Sequence, residues 1–220
     1  MKNIIKLIVV GTFLLAGCAT SGPPPVMDTG SSEPGGSVNR KGSPTSLLGD
    51  AISVGHPLPS VELVDSSSMK PVDLSKKKGR VLLLSIVPSI DTKVCEEQTH
   101  YLGEEGDKLS ANIERITISR DTPFAHRRFA EEAKLTDIRY LSDYREGQFG
   151  LATGLLAEDV RLLARSIVIV DQTGIVRYIQ VVPEQSHLPD MEKAFTFALN
   201  LAYHGTGDRY HIGVLTGYLR

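Results

Sequence analysis

RVLLLSIVPSIDTKVC, Arg80 to Cys95, decides the fold. After the arginine it reads VLLLSIV, a continuous apolar run rather than an alternation, which is the pattern of a strand buried on both faces of an α/β sheet. Pro88 has no N–H to offer a ladder and ends the strand. From Lys93 the residues suit a helix, so Cys95 falls in the first helical turn, where unpaired backbone N–H groups and the macrodipole favour an anion. Sulfur held there is expected as a nucleophilic thiolate near neutral pH. Thr92, three residues before Cys95, can aim its hydroxyl at the same space. A strand, a turn and a helix thus predict a polarised small-molecule pocket with Cys95 as its reagent.

Pro88, then Thr92 four positions on, then Cys95 three further on, resembles the active-site pattern of the peroxiredoxins, and the fuller PSIDTxVC is similar to the thiol peroxidase subfamily. DTPFAHRRFA at Asp121–Ala130 resembles that subfamily's segment after the second core strand, and LLARSIVIVD at Leu162–Asp171 resembles its strand bearing the active-site arginine. The likeness runs from about Ser53 to Tyr203. It implies an α/β, thioredoxin-like (peroxiredoxin) fold, with a central mixed β-sheet flanked by helices and an N-terminal β-hairpin, and it implies no cofactor. It further implies that Cys95 attacks the terminal oxygen of a hydroperoxide and becomes sulfenic acid. Thr92 would hydrogen-bond the peroxide, Arg165 would stabilise the thiolate and the polarised O–O bond, and Pro88 would shield the sulfur from water. The subfamily carries a resolving cysteine where this chain has Ala130, so the sulfenate is expected to be reduced by an outside thiol, a second copy of Cys95 or an unidentified reductant. A homodimer is also implied.

The other elements follow in thioredoxin-like order. Val61–Val64 and Met69–Leu74 read as an opening hairpin, and the Cys95 helix is expected to be short because Gly103 and Gly106 weaken its continuation. Ile113–Ser119 reads as a strand. Thr122 as N-cap and Pro123 at the first position start a helix with Ala125, Phe129 and Ala133 on one stripe. Ile138–Leu141 reads as a short strand and Glu146–Ala152 as a helical turn. Ser166–Val170 and Ile175–Val182 form a hairpin across Asp171–Gly174. Pro189 starts a last helix whose Met191, Ala194, Phe195, Ala198 and Leu199 make a core stripe.

The N-terminus is a different kind of sequence. Lys2 and Lys6, the short apolar stretch Ile4–Ala16 and Leu15-Ala16-Gly17-Cys18 resemble a bacterial lipoprotein signal peptide with its lipobox. That likeness implies a signal over residues 1–17, lipid on Cys18, and, with Ala19 next, an outer-membrane anchor holding the domain in the periplasm. The apolar stretch is shorter than the roughly 20 residues of a membrane span. Residues 18–49, rich in Ser, Gly, Pro and Thr, lack apolar periodicity and are expected to be a flexible tether spanning on the order of 30 Å. Residues 50–203 would be one redoxin domain and residues 204–220 a Gly-rich tail.

A formal charge of −2 and the lack of a large basic cluster point away from nucleic acid. Glu96, Glu97 and His100 have a spacing that could hold a metal, but a wet helix face is the expectation, so no metal is assigned. His204, Tyr210 and His211 are likewise read as a solvated or docked tail. His100 or His126 as a base toward Cys95 would make a Cys–His hydrolase; His100 lies off the cysteine's helical face. Gln98 stands where a dithiol CxxC would need its second cysteine. Three functions remain: a lipid-anchored single-thiol peroxidase, a peroxide-sensing relay that forms mixed disulfides, and a noncatalytic envelope binding domain.

Overall fold

A computed structural model describes residues 22–205. The signal segment, Cys18 and the tail from residue 206 onward lie outside the described residues. The chain runs β1 (Val26–Met27), β2 (Ser37–Arg40), β3 (Ser43–Leu48), β4 (Glu62–Asp65), β5 (Pro71–Asp73), β6 (Val81–Ile86), α1 (Lys93–Glu104), β7 (Ile113–Ser119), α2 (Pro123–Glu132), β8 (Arg139–Ser142), α3 (Gln148–Thr153), β9 (Leu156–Ala157), β10 (Ser166–Val170), β11 (Val176–Val181) and α4 (Met191–Gly205).

The main sheet has the order β1-β11-β10-β6-β7-β8-β4-β5. Strands β6, β7 and β8 are mutually parallel in succession, while β10 is antiparallel to β6 and to β11. The sheet is therefore mixed and flanked by helices, a thioredoxin-like α/β fold. Every residue of β6 is buried, as its unbroken apolar run requires. Leu82, Leu84 and Ile86 pack into one core with Phe149 of α3, whereas Val81, Leu83 and Val87 pack into a second core with Leu102 of α1, Phe129 of α2 and Ala194, Phe195 and Ala198 of α4.

Two expectations need correction. Helix α1 continues through Gly103 to Glu104. A Cβ at Gly103 would stand 2.5 Å from Leu135 Cδ2, so the glycine lets the helix approach its neighbour rather than ending it. The larger correction concerns residues 18–49: from Gly22 onward the expected flexible tether is folded. Strand β1 pairs parallel with β11, and Asp28 N–H and Ser32 N–H donate to Ile179 O and Val181 O at 2.9 Å each. Strands β2 and β3 form a hairpin around Lys41 and Gly42, both at positive φ, and β3 pairs with β9 in a second, three-stranded sheet. Val38 and Leu47 enter the same core as Leu82, Leu84 and Ile86. The segment is poor in apolar residues, yet it finds backbone partners on a preformed strand edge and needs only a few anchors to cover one sheet face.

Candidate active site

Strand β6 delivers the chain to Pro88, which is half-buried, and the turn Ser89–Thr92 carries it into α1. Thr92 is the N-cap residue of α1 but makes no side-chain capping bond. Its hydroxyl lies 2.9 Å from Cys95 Sγ and 3.2 Å from Ser89 O. With one proton to give, the hydroxyl serves either the sulfur or the carbonyl. Cys95 itself is fully buried, among Val87 and Ile90.

Arg165 reaches the same sulfur from β10's N-terminal end. Its Nη2 donates to Cys95 Sγ at 3.2 Å, and the residue is 2 % exposed. Burying a guanidinium demands partners, and they are present. Nη1 donates to Gln98 Oε1 at 2.8 Å and Nε donates to Gln185 O at 3.1 Å. Gln98 is fixed in turn by donating from Nε2 to Ser85 Oγ at 2.8 Å. The residue that breaks a CxxC pattern therefore clamps the arginine, one helical turn beyond the cysteine. Thus the structure brings Thr92 and Arg165 onto Cys95, Pro88 stands at the start of the turn that carries Thr92, and Cys18 lies outside the described residues.

Glu96 and Glu97 are exposed, on the side of α1 away from the buried sulfur. His100 pairs through Nδ1 with Glu104 at 2.8 Å, and its Nε2 lies 3.8 Å from Glu96. Neither histidine considered as a base hydrogen-bonds Cys95. His126 is fully buried, with Ser66 Oγ 2.8 Å from Nδ1 and Ser119 Oγ 2.7 Å from Nε2.

A second layer escaped sequence reasoning. Asp121 Oδ1 accepts from Ser89 Oγ at 2.8 Å, and its Oδ2 accepts from Ile90 N–H at 2.8 Å, so one carboxylate fixes the turn that presents Thr92. Oδ2 also accepts a hydrogen bond from the Ser119 hydroxyl at 2.6 Å. Ser119 Oγ must then accept from His126 Nε2–H, which leaves Nδ1 to accept from Ser66. Burial pushes His126 down to about 4, only partly opposed by Asp121 and Asp91, so the ring is neutral and this proton order is complete. The Asp121 that begins DTPFAHRRFA is the only sequence signal for this layer. Ala130, at the place of the subfamily's resolving cysteine, is half-buried in α2 and lines a cavity of about 400 Å³ with Ser66, His126 and Tyr140.

A cysteine sulfur that accepts from a hydroxyl and a guanidinium, at a helix N-terminus, can act as a nucleophile toward a polarisable bond. A family model described as Redoxin matches residues 53–195. A thiol peroxidase of Halalkalibacterium halodurans is 40% identical over 162 residues, covering 74% of this chain and 96% of that protein. A thiol peroxidase of Bacillus subtilis is 38% identical over 156 residues, covering 71% and 92%. Among solved structures, a peroxiredoxin-like protein from Aquifex aeolicus superposes with a TM-score of 0.70 at 30% identity, covering 75% and 96%. The folded β1–β3 segment precedes the matched region. The chain belongs to the redoxin family, and within it to the thiol peroxidases of the peroxiredoxin and thioredoxin-like superfamily.

Proposed function

We propose that this protein reduces hydrogen peroxide or organic hydroperoxides through Cys95 as its single reactive thiol, in the bacterial envelope, anchored by lipid on Cys18. The observation that carries the chemistry is the pair of donors on one sulfur, Thr92 Oγ1 at 2.9 Å and Arg165 Nη2 at 3.2 Å. The Cys95 thiolate attacks the distal peroxide oxygen. A sulfur–oxygen bond forms as the O–O bond breaks, and the leaving oxygen carries the negative charge until it takes a proton from solvent. Arg165 complements that charge as it moves from sulfur to oxygen. The product is sulfenic acid, the reversible first rung of cysteine oxidation.

Cys95 is the one cysteine among the described residues, and Ala130 offers no thiol. An outside thiol therefore attacks the sulfenic sulfur, releasing water and leaving a mixed disulfide. A second outside thiol displaces Cys95 as thiolate and closes its own disulfide. The basic N-terminus, apolar stretch and Leu15-Ala16-Gly17-Cys18 support the envelope reading. The homodimer implied by the resemblance belongs to the same proposal and is tested by sedimentation of the reduced protein.

A sulfenate-trapping probe supplied with peroxide should label wild type at Cys95 and leave Cys95→Ser unlabelled, and a supplied dithiol should sustain peroxide loss in wild type alone. Equal peroxide loss by Cys95→Ser would remove the assignment. Unchanged processing and membrane partitioning in Cys18→Ser would remove the anchor.

A further inference from the structure

We infer that the end of the domain around Gly22 lies against a lipid surface and that the Cys95 mouth faces away from it. This rests on the reading of Cys18 as the lipid-bearing residue. The direction of the folded N-terminal segment carries the inference. Strand β1 is parallel to β11, with Val26 opposite Tyr178 and Met27 opposite Ile179. Residues preceding Val26 therefore lie toward the beginning of β11. Pro23 O accepts from Arg177, and Gly22 lies beside Leu201 near the end of α4.

The reactive sulfur is at the other end of the same strands. Val182 N–H donates to Arg165 O, and Ser166 stands opposite both Val181 and Ile86. From Arg177 to Val182 the strand advances about 16 Å. Cys18 precedes Gly22 by four residues, a reach of at most about 14 Å when fully extended. The anchor thus cannot travel the length of β11 to bring lipid beside Cys95. Had residues 18–49 been a coil, the domain could have tumbled freely above the membrane; the pairing of β1 with β11 removes that freedom.

An exposed basic side chain at this end can meet an anionic headgroup surface. Lys78 is exposed and donates to Thr173 O in the turn between β10 and β11. Arg80, also exposed, stands just before β6 but lies 3.8 Å from Glu114 Oε2 and donates to Ala111 O, so Lys78 is the cation offered to the surface. Basic side chains within a Debye length of an anionic leaflet are attracted to it. The consequence for the enzyme is access: peroxide and the outside thiol approach from the aqueous side, not through the lipid surface.

The test uses the full lipidated chain in phosphatidylethanolamine–phosphatidylglycerol vesicles. A thiol-reactive fluorophore is placed at Lys78→Cys or at Glu96→Cys, both exposed positions, in a Cys95→Ser background, and a headgroup nitroxide lipid serves as quencher. Quenching is expected to be several-fold stronger at position 78 than at position 96. Insertion of a long Gly/Ser segment between Thr20 and Ser21 should keep flotation with vesicles and erase that difference. Equal quenching, or stronger quenching at position 96, with flotation intact, would overturn the orientation alone. If the full chain fails to float, or Cys18→Ser floats equally well, the anchor falls and the lipid-facing surface with it.

Discussion

His126 makes folding stability depend on pH above the range where carboxylates protonate. The ring is fully buried between Ser66 and Ser119, and burial holds it down to about 4. In an unfolded chain an ordinary histidine titrates near 6.5. Between these values the unfolded state binds a proton that the native state refuses, so stability is complete above about pH 6.5 and is lost as pH falls toward 4. The loss comes to about 2 kcal/mol between pH 7 and pH 5, reaching about 3 kcal/mol at pH 4, a large share of the 5–15 kcal/mol of a typical domain. With a urea slope of about 2 kcal/mol/M, the midpoint should fall by about 1 M from pH 7 to pH 5. Because the chain has no tryptophan, far-UV circular dichroism of the reduced protein is the suitable probe. His126→Gln removes the titrating ring while the other histidines stay in both proteins, so its lower midpoint should be nearly flat over this window. Asp65, Glu114 and Asp171 do not imitate the effect. Against the upward push of burial, their hydrogen bonds and cationic partners hold them below their ordinary values, so their contribution fades only at lower pH. Parallel pH slopes in wild type and His126→Gln would refute the reasoning.

Three further outcomes are expected. Thr92→Val keeps side-chain shape and removes the hydroxyl 2.9 Å from the sulfur; peroxide oxidation of Cys95 should slow about tenfold to a hundredfold in stopped-flow kinetics, and an unchanged rate would discard the assigned pocket. Gln98→Leu leaves Arg165 Nη1 and Ser85 Oγ without their 2.8 Å partner, so both oxidation rate and stability should drop, the latter by about 1–3 kcal/mol in urea unfolding. Gly49→Ala addresses the folded N-terminal segment: φ is +105 and a Cβ would stand 1.9 Å from Leu151 O. That substitution should cost about 3 kcal/mol or more, whereas a flexible tether would tolerate it without loss.

Much of the fold was legible because it was written in local patterns. The apolar run before Pro88, the Thr122–Pro123 helix start, the hairpin across Asp171–Gly174 and the Met191–Leu199 stripe each correspond to an observed element. The nucleophile was legible for the same reason: Thr92 and Cys95 are one helical turn apart, and local geometry alone aims one at the other. Arg165, 70 residues away, required the resemblance of its segment to a known family, since no local rule places it on the sulfur.

The sequence by itself determined a buried central strand, a proline stop and a cysteine in the first turn of the following helix, because backbone sterics and hydrophobic burial act between near neighbours. Tertiary structure alone decided that Gln98 and Gln185 hold Arg165, that Asp121 holds the Thr92 turn, and that residues 22–48 are wall rather than tether. Composition counts apolar side chains, and that segment has few; its order comes from backbone hydrogen bonds to β11 and β9 and from Val38 and Leu47 entering a core already formed by distant strands. Partners so far apart in the chain meet only once the sheet exists.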